Sequence, residues 1–284
     1  MPPIGCSPSR WPVKEARVAE LGKRLLSVLP PDTAKSWEML RDLLPASMTL
    51  YGGTAIAAHL HHRVSRDLDF FFDDNDVRLE RLAEHLGRLR KTAITFLDDD
   101  SLNAVFGDTK VQFLRTRGQV ELEPPTNVEG LLVAGIRDLL ATKLKVIADR
   151  GEMRDYYDIM RIEQQTPFGV EAGLLDYQAR YKDTNANNLF AIVRALGYLD
   201  DVVDDPGLPV SRTSIEAYWQ NRQIDVLAAL DSSGSVRARP GRLDIAALFA
   251  PEPREGGPEE SAGRVWVAPH VRNGRRVEGH WRRT

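Results

Sequence analysis

Two short stretches, Tyr51-Gly52-Gly53-Thr54 and Asp67-Leu68-Asp69, have the residue types and spacing to do chemistry. The glycine pair closes a strand-like run, SMTLY, and opens a helix-like one, TAIAAHLHHR. A helix start presents free backbone N–H groups and a partial positive charge, and glycine lets a phosphate approach the backbone closely. In RDLDFFF the period of two puts the Asp67 and Asp69 carboxylates on one face of a strand and Leu68 on the other. Two acids aimed into one space repel. A divalent cation between them removes the conflict, and Mg²⁺ takes carboxylate oxygens together with substrate phosphates. Singly, a glycine pair is most often a turn and Asp-x-Asp most often a solvated face. Asp-x-Asp also holds a metal and a sugar nucleotide in glycosyltransferases. The joint order of strand, Gly-Gly, helix and Asp-x-Asp strand, with 13 residues between Gly53 and Asp67, describes a site for a nucleoside triphosphate and a metal.

A second group lies downstream. IRDLLATKLKVIADR carries its apolar residues at helical spacing, and Lys143 falls inside that stripe, where a helix face normally has no charge. Either Lys143 snorkels from a half-buried face, or it grips phosphate and offsets charge developing in phosphoryl transfer. Arg150 follows at the end of that helix. In RDYYDI, Asp155 and Asp158 are both available, and one of them caps a helix start. Ser65, before the Asp-x-Asp strand, reads by itself as a turn residue.

Tyr51-Gly52-Gly53 with Asp67-Leu68-Asp69-Phe70 resembles the first motif of the DNA polymerase beta nucleotidyltransferase superfamily. More narrowly, GGTAIAAHLHHRVSRDLDFFF and DLLATKLKVIADRGEMRDYYDI resemble the AbiEii/AbiGii family of nucleotidyltransferase toxins over about residues 45–230. The resemblance implies an α+β fold, a polymerase-beta-like mixed sheet with flanking helices followed by a helical C-terminal domain. It implies an Mg²⁺-dependent enzyme, with two ions possible, that moves a nucleotide from an NTP to an acceptor hydroxyl, on tRNA in some members. It also implies a cognate antitoxin protein. Asp67, Asp69, Lys143 and Asp155 become the catalytic set, with Asp158 the alternative to Asp155. Asp67 and Asp69 become the metal ligands. Gly52, Gly53, Thr54, Ser65 and Arg150 become the nucleotide-binding set. One departure is expected. Many relatives in the superfamily carry a third carboxylate on a later strand, which here is KVQFLR, with Gln112 and no acid.

Those residues need a scaffold. Strand-like runs with a few helices come first and helices alone follow from Gly135, the order of a sheet domain and then a helical one. The expected organisation is a flexible lead-in at 1–13, an α+β domain at 14–134, a helical domain at 135–250, a Pro/Gly/Glu linker at 251–263 and a basic hairpin-like tail at 264–284. Asp73 to Leu89 reads as a helix capped by Asp73 or Asp74, and QVELE as a strand. In the tail, Asn273-Gly274 between alternating runs signals a hairpin, and six arginines face one glutamate. That tail either touches RNA phosphates or is a solubilising appendage.

Composition sets bounds. Of 284 residues, 38 are Lys or Arg and 41 Asp or Glu, a net charge of −3, which excludes a long disordered or strongly basic chain. A single cysteine, Cys6, allows no internal disulfide and fits a cytoplasmic protein. No apolar run approaches the roughly 20 residues of a membrane helix, and the N-terminus lacks the apolar region of a signal peptide. His59, His61 and His62 lack companions suitable for a metal site, and Asp98-Asp99-Asp100 reads as a solvated turn. Two rival functions remain open: a catalytically weak nucleotide-binding regulator, favoured by the missing third acid, and nucleotidylation of a protein or small molecule.

Overall fold

The structure is a computed structural model that describes residues 11–230, residue 236 and the tail strands at 264–267, 270–272, 275–277 and 280–283. The expected lead-in up to residue 10, with Cys6, and the linker at 251–263 lie outside the described residues.

Helices α1 (Trp11–Ser27) and α2 (Pro31–Arg41) precede strand β1 (Thr49–Tyr51). Pro31 sits at the first position of α2, where its missing N–H costs nothing. Helix α3 (Gly52–Leu60) starts on the glycine pair itself, with no loop after β1, and strand β2 (Asp67–Phe72) returns antiparallel beside β1. Helix α4 (Leu79–Leu89) then leads into the meander β3 (Thr92–Leu97), β4 (Ser101–Phe106) and β5 (Thr109–Arg115). A short hairpin, β6 (Thr126–Val128) and β7 (Leu131–Val133), completes one mixed seven-stranded sheet in the order β3-β4-β5-β2-β1-β7-β6. Strand β5 joins β2 in parallel, as β7 joins β1. The α+β architecture is therefore as the sequence implied.

Along β2 burial alternates strictly. Leu68, Phe70 and Phe72 are buried, whereas Asp67, Asp69 and Phe71 look out of the other face. Phe70 stacks between Trp37 and Phe113, which pins the strand and hence the direction of its carboxylates. Five helices follow: α5 (Ile136–Arg150), α6 (Met153–Gln165), α7 (Val170–Tyr181), α8 (Ala186–Gly197) and α9 (Arg212–Ala229). The sequence-expected boundary at 134/135 falls between β7 and α5. Helices α5 and α6 pack on α3, and this packing brings the second half of the site to the first.

Two expected elements differ. Helix α4 begins at Leu79 because the acids before it form a turn: Asp74 accepts from the N–H of Asp76 through its carboxylate and from Arg115 through its carbonyl. QVELE is not a strand. The N–H groups of Leu122 and Glu123 donate to the Asp138 carboxylate, and that of Val120 to the Arg180 carbonyl, so helices α5 and α7 satisfy this segment instead of a ladder.

The chain divides into a unit over 1–240 and a second over 241–284. In the second, β9 (His270–Arg272) pairs antiparallel with β10 (Arg275–Val277), and β8 (Arg264–Val267) with β11 (His280–Arg283); the expected turn at Asn273-Gly274 lies outside the described residues.

Candidate active site

A cleft opens over the exposed face of β2. Asp67 and Asp69 form its floor beside Gly52 and Gly53, and Ser65 and Arg63 close the end before β2. Lys143 and Arg150 come from α5, and Glu152, Arg154 and Asp155 from the start of α6. The fold thus brings together eight of the nine sequence-expected site residues.

Thr54 is the exception. It is fully buried, and its hydroxyl donates to the Asp67 carbonyl at 2.5 Å and is hydrogen-bonded to the Ser65 hydroxyl at 2.7 Å. No nucleotide can reach it from the cleft. It ties the start of β2 to α3, which supports Asp67 and Ser65 from beneath.

Gly52 shows why the motif needs glycine. Its φ is +66°, and a Cβ there would stand 2.0 Å from Asp69 Oδ2. At Gly53 a Cβ would stand 2.2 Å from Arg63 Nη2. The close backbone approach at this turn is made by the protein's own carboxylate and guanidinium.

The two aspartates differ. Asp67 is paired with Arg154 at 3.2 Å, and Arg154 is also held by Glu152 at 2.7 Å. Burial and then the neighbouring Asp67 charge push the Asp69 carboxyl up to about 6. This frustrated pair of hard oxygen donors suits a divalent cation. Among the described residues no group of three acidic, His or Cys side chains could hold a metal. Gln112 on β5 lies directly opposite Asp69, in the place expected for a third acid.

Lys143 does not snorkel. Its Nζ lies 2.5 Å from Asp155 Oδ1 and 3.0 Å from Asp158 Oδ2, and those charges outweigh burial and raise its pKa. The other Asp155 oxygen accepts from the N–H of Glu152 in a capping box at the start of α6. Both Asp155 oxygens are therefore engaged, one by Lys143 and one by the start of α6.

Asp158 is a hub. It is fully buried, accepts two hydrogen bonds from Arg63 at 2.7 and 2.8 Å, and is bonded to His62 Nε2 at 2.8 Å. Burial alone would raise its pKa, yet Lys143, Arg63 and His62 hold it well below the usual carboxylate range. Arg150, with its side chain 78% exposed, stands at the rim. His59 Nε2 bonds the Ala134 carbonyl, and His62 Nε2 the Asp158 carboxylate.

Sequence reasoning gave no role to Arg63, Glu152 or Arg154. Arg63 had a signal, since it stands two residues before Ser65 inside the run GGTAIAAHLHHRVSRDLDFFF that carries the resemblance. Glu152 and Arg154 had none, because they flank a helix start whose direction only the fold sets.

Residues 38–240 match the family model of the AbiEii nucleotidyl transferase toxin of type IV toxin–antitoxin systems. An uncharacterized Aquifex aeolicus protein, aq_aa25, is 25% identical over 173 residues, 60% of this chain and 80% of that protein. Among solved structures, MenT4, a nucleotidyltransferase toxin from Mycobacterium tuberculosis H37Rv, is similar at 17% identity over 76% of this chain and 91% of that one, with a TM-score of 0.48. JHP933 from Helicobacter pylori is similar at 18% identity over 78% and 99%, with a TM-score of 0.34.

Proposed function

The chain belongs to the family of AbiEii nucleotidyl transferase toxins, and on that premise we propose that it transfers the nucleoside monophosphate of an NTP to a hydroxyl of an RNA acceptor, tRNA first among them. The acceptor hydroxyl gives its proton to solvent as its oxygen bonds to the α-phosphorus, the bond from that phosphorus to the α,β-bridging oxygen breaks, and pyrophosphate leaves with that oxygen.

Catalysis of this kind is mostly positioning and electrostatics. The N-terminus of α3 at Gly52-Gly53, the Ser65 hydroxyl and Arg63 form the phosphate end of the cleft. Lys143 and the rim residue Arg150 offset the charge that grows on the leaving pyrophosphate. Asp155 and Asp158 keep Lys143 protonated and aimed. Arg154 balances Asp67 and is a further cation within reach of phosphate. Asp67 and Asp69 would hold Mg²⁺, which when bound would polarise the α-phosphate and neutralise negative charge. The family implies an antitoxin as biological counterpart.

The observation that carries this reading is the meeting of Asp67 and Asp69 with Lys143 and Arg63 in one cleft, from elements far apart in sequence. Its test is pyrophosphate release in the presence of RNA, for wild type and Asp69→Ala. The account requires release with wild type and none with the variant at an unchanged circular-dichroism spectrum. A non-catalytic nucleotide-binding regulator is favoured by one feature, Gln112 opposite Asp69, and would show NTP binding with no release from wild type. No helix is long and apolar enough to cross a membrane among the described residues.

A further inference from the structure

The sheet register extends the cleft in one direction. Asp69 lies opposite Gln112 on β5, Gln112 opposite Asn103 on β4, and Asn103 opposite Phe96 on β3. Directly paired residues point to the same face, so these four side chains form a row on the face that carries the two aspartates. The neighbouring row runs from Asp67 through Lys110 and Val105 to Ala93. Alternation agrees with this. Leu102, Ala104 and Phe106 of β4 are buried on the opposite face, and Ser101, Asn103 and Val105 are partly exposed.

This floor has a definite chemistry. Strands β3, β4 and β5 contain no acidic residue; the adjoining acids are Asp98, Asp99 and Asp100 in the β3–β4 turn, where Arg117 and Arg115 hold Asp100, and Asp108 in the β4–β5 turn. Phe96 is 49% exposed at the sheet edge. The bulge between Ile94 and Phe96 is what turns Phe96 onto this face, since Ile94 pairs with Ala104 and Phe96 with Asn103. Asn103 Oδ1 is shielded from solvent and accepts no hydrogen bond among the described residues. A polycationic small acceptor would call for carboxylates, and beyond Asp67 and Asp69 the strands of this floor offer none. Two amides, one lysine and an exposed aromatic ring suit nucleobases, whose edges pair with amides and whose faces stack on rings.

We propose that the row Gln112–Asn103–Phe96 is the acceptor platform: the single-stranded 3′ end of an RNA lies across β5, β4 and β3 with its terminal hydroxyl at Asp67 and Asp69. Three strand spacings of about 4.8 Å make a track of roughly 14 Å, the length of about four bases stacked at 3.4 Å. Lys110, exposed beside the row, meets a backbone phosphate. The inference rests on the RNA-acceptor reading above, and a duplex end, too broad for one row of side chains, is not its ligand.

The test uses the full chain and a fluorescent RNA hairpin with a four-nucleotide 3′ overhang ending in a dideoxynucleotide, read by anisotropy beside the same hairpin with a blunt end. Wild type should bind the overhang at least tenfold more tightly than the blunt end. Phe96→Ala and Asn103→Ala should each weaken overhang binding by about fivefold or more, Phe96→Trp should retain it, and NTP affinity should be unchanged in all three. Equal affinity of wild type and both alanine variants, or equal affinity for overhang and blunt end, overturns the platform and leaves nucleotide transfer to RNA standing. No transfer by wild type to any RNA overturns the acceptor reading itself and the platform with it. Melting temperatures within a few degrees of wild type, with Phe96→Trp as the conservative replacement, separate lost binding from lost folding.

Discussion

The carboxylate of Asp69 fills the space that any side chain at residue 52 would need: a Cβ on Gly52 would stand 2.0 Å from Asp69 Oδ2. The first glycine of the motif and its second aspartate are thus one fitted unit, packed across the β1–β2 pair where Tyr51 lies opposite Asp69. Gly52→Ala should therefore displace Asp69 and strain a backbone at φ +66°. The expected outcome is a loss of transfer of at least a hundredfold and a destabilisation of about 1–3 kcal/mol, checked by kinetics and urea unfolding. Full activity in this variant would separate the glycine from the aspartate.

Asp69 should also report itself in stability. Its folded pKa is raised from 3.8 to about 6, so the native state holds a proton that the unfolded state has released between those values, and stability falls as pH rises from about 4 to 6. Above pH 6 the strain is fully present. Asp69→Asn should then be more stable than wild type at pH 7.5 without added metal, on the order of 2 kcal/mol, though inactive. Thermal melts at pH 4 and 7.5 check the sign, and a variant less stable than wild type at pH 7.5 would contradict it.

Arg154 faces Asp67 at 3.2 Å and helps to lower the Asp69 pKa against burial and the Asp67 charge. Arg154→Ala should move the acidic limb of the kcat/KM profile to higher pH and raise KM for the NTP several-fold. A pH–rate profile superimposable on that of wild type would assign Arg154 no electrostatic part in the site.

Asp158, itself fully buried, holds Lys143, Arg63 and His62 beneath the cleft. Asp158→Ala leaves three buried donors, at least two of them charged, without this partner, a change that typically costs about 3–5 kcal/mol. Urea unfolding should show a loss of that order, together with loss of transfer. Because its folded pKa lies below the unfolded value, the stability Asp158 provides is present above about pH 4 and is lost only as pH falls through that depressed pKa. Wild-type melts from pH 5 to 8 should show no transition from this group.

The cleft face of β2 was legible because its chemistry is local. Asp67, Leu68 and Asp69 alternate within one strand, and the glycine pair announces the turn before it. Lys143 was legible as an anomaly, a charge inside an apolar stripe, but its partners were not, since α6 supplies them through a packing angle no periodicity encodes. Thr54 was misplaced for the converse reason: it belongs to the motif in sequence, yet the first turn of α3 rotates it into the core. QVELE alternates like a strand, but its N–H groups are taken by the Asp138 carboxylate and the Arg180 backbone carbonyl of later helices instead of a neighbouring strand. The hairpin of β6 and β7 is only three residues a side, too short to show a period.

The central claim, nucleotide transfer to RNA by the Asp67–Asp69 cleft, is tested most directly by incubating the protein with total tRNA, Mg²⁺ and each α-labelled NTP in turn, beside the Asp67→Ala/Asp69→Ala double variant. The account predicts label in the RNA with wild type and at least one NTP, and none with the double variant. Equal labelling by both proteins, or no labelling from any NTP while wild type still binds NTP, would contradict it.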